Sequence, residues 1–410
     1  MNIANFFVTG LHDALEASRW TIPFFVLACM VRAFWIIWVR YVQQAFLLKT
    51  DMVLLDVRLP KEIFKSPKAM EIVLGAFYQT SPSDSYGAYW EGKVRAVHSL
   101  EIVSREGNIH FYIWVRKALR NVVESQIYAQ YPQIEVHEVP DYTSDMPYGA
   151  PGTNYEMWGC EYQFLKDDAY PIKTYIEYGL DKDTKPEFVI DPLTSMLEFM
   201  GSLGEGENLW FQVVFMAADP FPKRPGATSV KSFKDRGKAL IEEISRRKLA
   251  KEAQKEGKTL SFADTTLSPG ERAVLEAVER NLSKNAFDVG MRAIYIARKD
   301  KFNSAHIPGI TGLLRPFSSN DLNGFKPRNT TSFDLPWQDP TGVRVIKKKA
   351  KLYEEFCKRA YFFYPYVRVP FVMTAEELAT IYHFPGQSAE TPTLARIESK
   401  RGEAPVNLPL

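Results

Sequence analysis

The sequence predicts an α+β protein: an N-terminal membrane helix followed by two ferredoxin-like (βαββαβ) modules, the second with a helical insertion. Three observations carry this expectation. Residues 20–48 form a long, charge-poor stretch. Residues 98–116 have the pattern of a β-hairpin between two amphipathic helical segments, the order of a split βαβ unit. The helix start Ser66-Pro67 recurs as Asp191-Pro192, so the second region repeats the plan of the first.

The charge-poor stretch is WTIPFFVLACMVRAFWIIWVRYVQQAFLL. A bilayer core takes about 20 mostly apolar residues in helix. Residues 21–42 supply that length, with only Arg32 and Arg40 charged. Arg40 lies near one end and can extend its head group to water. Arg32 is central and costs roughly 2.5–3.5 kcal/mol on insertion scales, offset by the Ile, Phe, Leu and Val residues around it. Trp20 at one end and Trp38 with Tyr41 at the other are interfacial anchors, and Trp35 belongs to the same set. No basic region precedes the stretch and no small-x-small cleavage site follows, so it departs from a cleaved signal. Arg40 and Lys49 lie on its C-terminal side, while Asp13, Glu16 and Arg19 precede it. That bias places the bulk of the chain on the cytoplasmic side of the cytoplasmic membrane.

Composition narrows the function. With 410 residues, 46% of them hydrophobic, the chain can build one or two cores beyond the anchor. A net charge of +2 gives no overall field to attract nucleic acid. The three cysteines, Cys29, Cys160 and Cys357, lie far apart and form no CxxC, a reduced cytoplasmic pattern rather than a disulfide framework.

Along the chain, residues 53–59 (VLLDVRL) predict a strand that Pro60 ends. Ser66 then caps a helix with Pro67 in its first turn, and Met70, Val73, Leu74 and Phe77 form its apolar face. In the hairpin HSLEIVSREGNIHFYIWVR, Glu106-Gly107 is the two-residue turn. Pairing Arg105 with Asn108 puts His98, Leu100 and Ile102 on one face with Phe111, Ile113 and Val115. Glu101, Val103, His110, Tyr112, Trp114 and Arg116 share the other. A helix around Val123 and Ile127 ends at Pro132, and residues 134–139 form the next strand. The second region predicts strands at 160–165, 172–178, 208–216 and 289–297. The Asp191-Pro192 helix carries Leu193, Met196, Leu197 and Met200 on one face. Two charged helices, 231–255 and 268–284, separate the last two strands. Residues 317–341 are rich in loops, 347–359 predict a basic helix, and Thr374 with Glu377 forms a capping box opening a helix through Tyr382. The tail from Thr391 is extended. The domains are therefore 1–50, 51–145, 146–345 with an insertion at about 222–285, and 346–410.

Chemistry-bearing motifs are sparse. Gly257-Lys258-Thr259 approaches a phosphate loop, but Glu252 stands where the first glycine belongs and the segment is a charged helical arm. His98 and His110 fall on opposite faces of the hairpin, so one ion cannot take both. His137-Glu138 lacks the second histidine of a zinc-protease pair. No nucleophile elbow is present. The expectation is no enzyme, no metal and no cofactor. The basic run at 236–258 mixes in Glu242, Glu243, Glu252 and Glu256, the pattern of a solvated or partner-binding helix rather than a phosphate-binding face. Tyr112, Trp114 and Arg116 could stack bases or meet a partner protein.

Several segments together carry a resemblance: LEIVSREGNIHFYIWVRKALRNVVESQIYAQYPQIEVHEVPDYT, FDVGMRAIYIARKDKFN, FKPRNTTSFDLPWQD, EELATIYHFPG and SKRGEAPVNLP. They resemble the N-terminal, non-ATPase region of type IV secretion and conjugation-type translocation ATPases and their membrane-anchored relatives in candidate phyla radiation bacteria. The resemblance spans most of residues 53–410. In larger relatives such a tail leads into the motor domain, whereas this chain stops at Leu410, so no catalytic residues carry over. It implies a membrane-anchored, non-enzymatic scaffold that docks a separate translocation ATPase or other secretion subunits and can self-associate. The C-terminal Arg396, Lys400 and Arg401, with Tyr112, Trp114 and Arg116, are its candidate partner-binding residues. The alternative is a membrane-tethered nucleic-acid-binding module guiding DNA to a pore.

Overall fold

Apolar residues encircle residues 21–34 rather than lining one stripe, and all of these positions stand exposed. In the computed structural model this region lies within one long helix, α1 (Ile3–Lys49), which rises about 70 Å. The structure describes residues 3–60, 65–79, 85–149, 154–182, 190–218, 232–256, 268–333, 335–386 and 396–397. The Thr21–Lys49 part of α1 is long and apolar enough to cross a membrane, and none of its most apolar stretch is buried. The chain divides into two units. One comprises residues 1–50 and 81–94, so it holds α1 and the short helix α3 (Ser85–Tyr89). The other comprises residues 51–80 and 95–410.

Among the described residues, the second unit is built on a ten-stranded sheet. Its first half contains β1 (Met52–Pro60), α2 (Pro67–Gly75), β2 (His98–Arg105), β3 (Asn108–Arg116), α4 (Arg120–Gln130) and β4 (Glu135–Val139). Ser66 caps α2 by accepting from the Lys68 backbone N–H at 3.3 Å. The β2–β3 hairpin closes with Arg105 opposite Asn108, as the sequence predicts. Glu106 (φ 54°) and Gly107 (φ 86°) both take the left-handed conformation that a twisted two-residue turn needs. β1 pairs antiparallel with β3 on one side and β4 on the other, giving the order β4-β1-β3-β2.

The second half contains β5 (Tyr155–Phe164), α5 (Pro192–Gly201), β6 (Glu207–Ala217), α6 (Phe233–Glu256), α7 (Pro269–Leu282), β7 (Ala286–Arg298), α8 (Ile307–Thr311) and β8 (Phe325–Arg328). Its pairings give β8-β5-β7-β6, again antiparallel throughout. The halves join through antiparallel pairing of β2 with β6. After them come α9 (Val343–Cys357), β9 (Phe371–Thr374), α10 (Ala375–Ile381) and β10 (Arg396–Ile397). β9 pairs with the start of β7, and β10 runs parallel to Leu59 and Pro60 of β1.

One predicted strand is corrected. Residues 172–178 form an irregular segment followed by turns, not a strand. Its backbone donors are taken by side chains: Ile172 N–H donates to Glu377 (3.0 Å), Thr174 N–H to Glu177 (2.7 Å) and Tyr175 N–H to Thr380 (3.0 Å). Such bonds offer the backbone an alternative to a ladder. β5 is therefore followed directly by α5.

The sheet buries both faces. On one, Leu100, Ile102, Phe111, Ile113, Phe211 and Val213 pack with apolar side chains of α2, α4, α5 and α10. On the other, Leu54, Val103, Tyr112, Met157, Trp210 and Ile294 pack with Leu352 and Phe356 of α9 and with Tyr142. The insertion helices α6 and α7 are tied back by Arg236 to Asp168 and by Arg280 to Glu376 at 3.1 Å.

Candidate functional site

Strand registers bring a row of polar side chains into line across the face under α9. Directly opposite one another, in sheet order, stand His137, Asp56, Tyr112, Glu101, Gln212, Arg292, Glu161 and Arg328. The strand period of two explains why each interrupts an apolar run without disturbing the opposite face. Leu100 and Ile102 flank Glu101, for example, and both point into the other core.

The central members are sealed. Glu101 is fully buried and accepts from Ser99 (2.8 Å), Gln212 (2.7 Å), Tyr142 (2.7 Å) and the Arg359 guanidinium (3.0 and 3.2 Å). Gln212 passes the network on, accepting from Arg292 Nε at 2.6 Å. Arg292 donates to the Ala360 carbonyl at 3.1 Å. Glu161 accepts from Asn329 at 2.5 Å and faces Arg368 at 3.2 Å, and Arg368 also pairs with buried Glu355 of α9 at 2.8 Å. Arg359 reaches Asp141 as well.

Burial alone would raise the Glu101 carboxyl, but the Arg359 charge and the hydrogen bonds from Arg359, Tyr142 and Ser99 hold it below the usual carboxylate range. Burial draws the Arg292 guanidinium down to about 10, so it remains cationic at neutral pH. Arg359 enters the network through an unusual turn. α9 ends with Arg359 in the left-handed conformation (φ 49°), and Ala360 N–H donates to the Glu355 carbonyl at 3.0 Å. That is the Schellman arrangement, in which glycine is the ordinary occupant. The strain persists because the turn sends the guanidinium back under the helix to Glu101.

A second feature lies at the β5 edge of the sheet, beside α9. A pocket of about 340 Å³ is lined by Glu156 and Trp158 of β5, Thr331 and Phe333 of the loop after β8, and Val345 and Lys349 of α9, among others. Lys349 pairs with Glu156 across it. Asp339 caps the start of α9, accepting from Val345 N–H at 2.7 Å, while its other oxygen is buried without a hydrogen bond. Leu335, Trp337, Val343 and Ile346 stand exposed on the same stretch of chain.

The sequence-derived residues separate. Tyr112 is buried, its ring stacked between His110 (5.7 Å) and Tyr142 (5.0 Å), so both faces are occupied within the chain. Trp114 lies under the Arg359 guanidinium at 5.7 Å, and Arg116 donates to the Arg95 carbonyl at 3.1 Å. Arg396 joins the sheet through its backbone. Its side chain, and Lys400 and Arg401 entirely, lie outside the described residues, as does Gly257-Lys258-Thr259. In α1, Arg32, Trp35, Arg40 and Tyr41 are exposed and Trp38 half-buried; the Trp20 side chain is outside the described set. Among the described residues, no three His, Cys, Asp or Glu side chains gather to hold a metal ion. The Glu101–Arg359 lock escapes a sequence reading because its residues come from distant segments. Its one local signal is the Arg-Ala step after an amphipathic helix, where a capping glycine would be ordinary.

A family model described as Domain of unknown function (DUF8128) matches residues 63–396. No curated protein matches the chain.

Proposed function

We propose, for a chain that belongs to this family of unknown function, a role as a membrane-anchored, non-enzymatic scaffold that docks a separate translocation ATPase in a type IV secretion-like apparatus. The observation that carries the membrane part is the uncovered apolar length of α1. An aqueous protein rarely leaves so large an apolar surface open. The same length suits a signal sequence, but retention is favoured by contacts further along the chain. The Trp38 indole donates to the Tyr89 carbonyl at 3.1 Å, and cleavage after the apolar stretch would discard that partner. The charges around α1 favour the body on the cytoplasmic side.

The scaffold part rests on the second unit. The repeated strand orders, β4-β1-β3-β2 and β8-β5-β7-β6, support reading it as two ferredoxin-like modules fused edge to edge. Its buried ionic row is spent on internal pairing, which suits rigidity more than turnover. The pocket beside α9, with Trp337 and Ile346 exposed nearby, is the face we assign to the ATPase. The ATPase itself is taken from the resemblance of the sequence. The covered ring of Tyr112 weighs against base stacking on this sheet face.

Affinity capture of the full chain from detergent-solubilised native membranes tests the role. Co-purification of a phosphate-loop ATPase, lost in Trp337→Ala/Ile346→Ala, is expected. Recovery of the chain from the soluble fraction, or capture without any secretion component, would overturn it.

A further inference from the structure

Five aromatic side chains gather where α1 leaves its most apolar stretch, and a sixth, Tyr86, stands exposed on the short helix beside them. Trp35, Trp38 and Tyr41 come from α1, and Tyr86, Tyr89 and Trp90 from α3 and the residue after it. Trp35 meets Tyr89 at 5.7 Å and Trp90 at 6.3 Å, and Trp38 meets Trp90 at 5.6 Å and Tyr41 at 6.3 Å. The close approach of the two segments is built in at Gly92. Its φ is +69°, and a Cβ there would stand 2.1 Å from the Val42 carbonyl oxygen. Yet the cluster is not a closed core. Tyr86 is 64%, Tyr89 43% and Trp90 54% exposed.

Three large aromatics within five residues, two of them packed on a helix and all of them still open to the outside, need a further partner. The residue types indicate which. Tyr and Trp combine an apolar body with a polar tip, the composition of the boundary between hydrocarbon and water. The position agrees: from Thr21 to Trp38, α1 rises about 26 Å, close to a hydrocarbon core of roughly 30 Å.

We propose that Tyr86, Tyr89 and Trp90 form, with Trp35, Trp38 and Tyr41, an aromatic collar seated in the lipid headgroup layer. Residues 85–90 are then a second membrane contact, separate from the spanning helix. The collar sets the depth of α1 and lets an anchor containing Arg32 hold one position. The inference rests on α1 being embedded in lipid, and the experiment separates the two.

The full chain, with Cys29→Ser and Cys357→Ser, is reconstituted in phosphatidylcholine–phosphatidylglycerol vesicles. A nitroxide is placed at Tyr86→Cys, at Phe25→Cys as the α1 reporter, and at Tyr128→Cys as the aqueous reference. Each position is exposed, so labelling does not require repacking. Relative accessibility to oxygen over a water-soluble nickel chelate is expected to rise several-fold at both Phe25 and Tyr86 above Tyr128. Lipid values at Phe25 with water values at Tyr86 would overturn the collar and leave the anchor standing. Water values at both would overturn both.

Discussion

Replacing Arg359 tests whether the buried ionic row holds the sheet and α9 together. Arg359 is 1% exposed and Glu101 0%. Removing one member of such a pair typically costs 3–5 kcal/mol, because the other charge stays buried. Glu101 keeps three donors, from Ser99, Tyr142 and Gln212, so Arg359→Met should fall at the low end, about 3 kcal/mol. The left-handed turn supplies an internal control. A non-glycine residue there costs about 1–2 kcal/mol, so Arg359→Gly should be about 1 kcal/mol milder than Arg359→Ala. Adding Glu101→Gln to Arg359→Met removes the stranded charge. The double variant should be more stable than the sum of the single effects implies by about 2 kcal/mol. Urea unfolding of the full chain in detergent micelles, followed by tryptophan fluorescence, reads all five variants, the Glu101→Gln single among them. Trp114 lies beside the guanidinium and Trp210 packs on Tyr142 and Phe356, so the signal reports this layer. An Arg359→Met effect below about 0.5 kcal/mol, the size of an ordinary surface change, or strict additivity in the double variant, would refute the lock.

Other consequences are as direct. His98 is buried between Phe77 and Phe215 with both ring nitrogens unpaired, and burial, helped by the Arg116 charge, lowers it to about 3. Unfolded histidine takes its proton near 6.5, so between pH 6.5 and 3 the unfolded state binds more protons and stability falls as pH drops, by up to about 5 kcal/mol across the window. His98→Phe should flatten that part of the stability–pH curve; an unchanged slope would exclude His98 as its source. Glu101, held low, adds stability above the ordinary carboxylate range that is lost at still lower pH, and Glu101→Gln should remove this component. Gly92→Ala forces a left-handed alanine onto the α1 backbone. Amide exchange in residues 86–92 should then speed up by orders of magnitude while β2 and β6 stay protected; unchanged protection would show that the close approach does not hold α3.

Local chemistry made much of the fold legible. Proline after a capping Ser66 or Asp191 fixes where α2 and α5 start, and Asp191 does accept from the Leu193 N–H at 2.8 Å. Glu106-Gly107 fixes a turn, and the turn fixes the β2–β3 register. These signals act within a few residues. β8 and β9 leave no strand signal in the sequence because each has four residues, one containing Pro327, too short for an alternation to show. Residues 172–178 have strand composition, but the side chains that claim their backbone donors, Glu377 and Thr380, lie some 200 residues on. The capping box that predicts α10 is part of that diversion, since Glu377 serves both Thr374 and Ile172.

The amino-acid sequence by itself determined the apolar helix, the order of helices and strands in the first half, and which face of the hairpin is apolar, because periodicity and capping are properties of neighbours in the chain. Only the tertiary structure decided that β2 pairs with β6. With that pairing, Asp56, Glu101, Gln212, Arg292 and Glu161 fall into one row. Registers between distant strands depend on burying both sheet faces at once, and no local pattern carries that information. The same holds for the aromatic cluster: Tyr89 and Trp90 sit in a turn-rich loop by sequence, and meet Trp35 and Trp38 only because Gly92 lets the two segments approach.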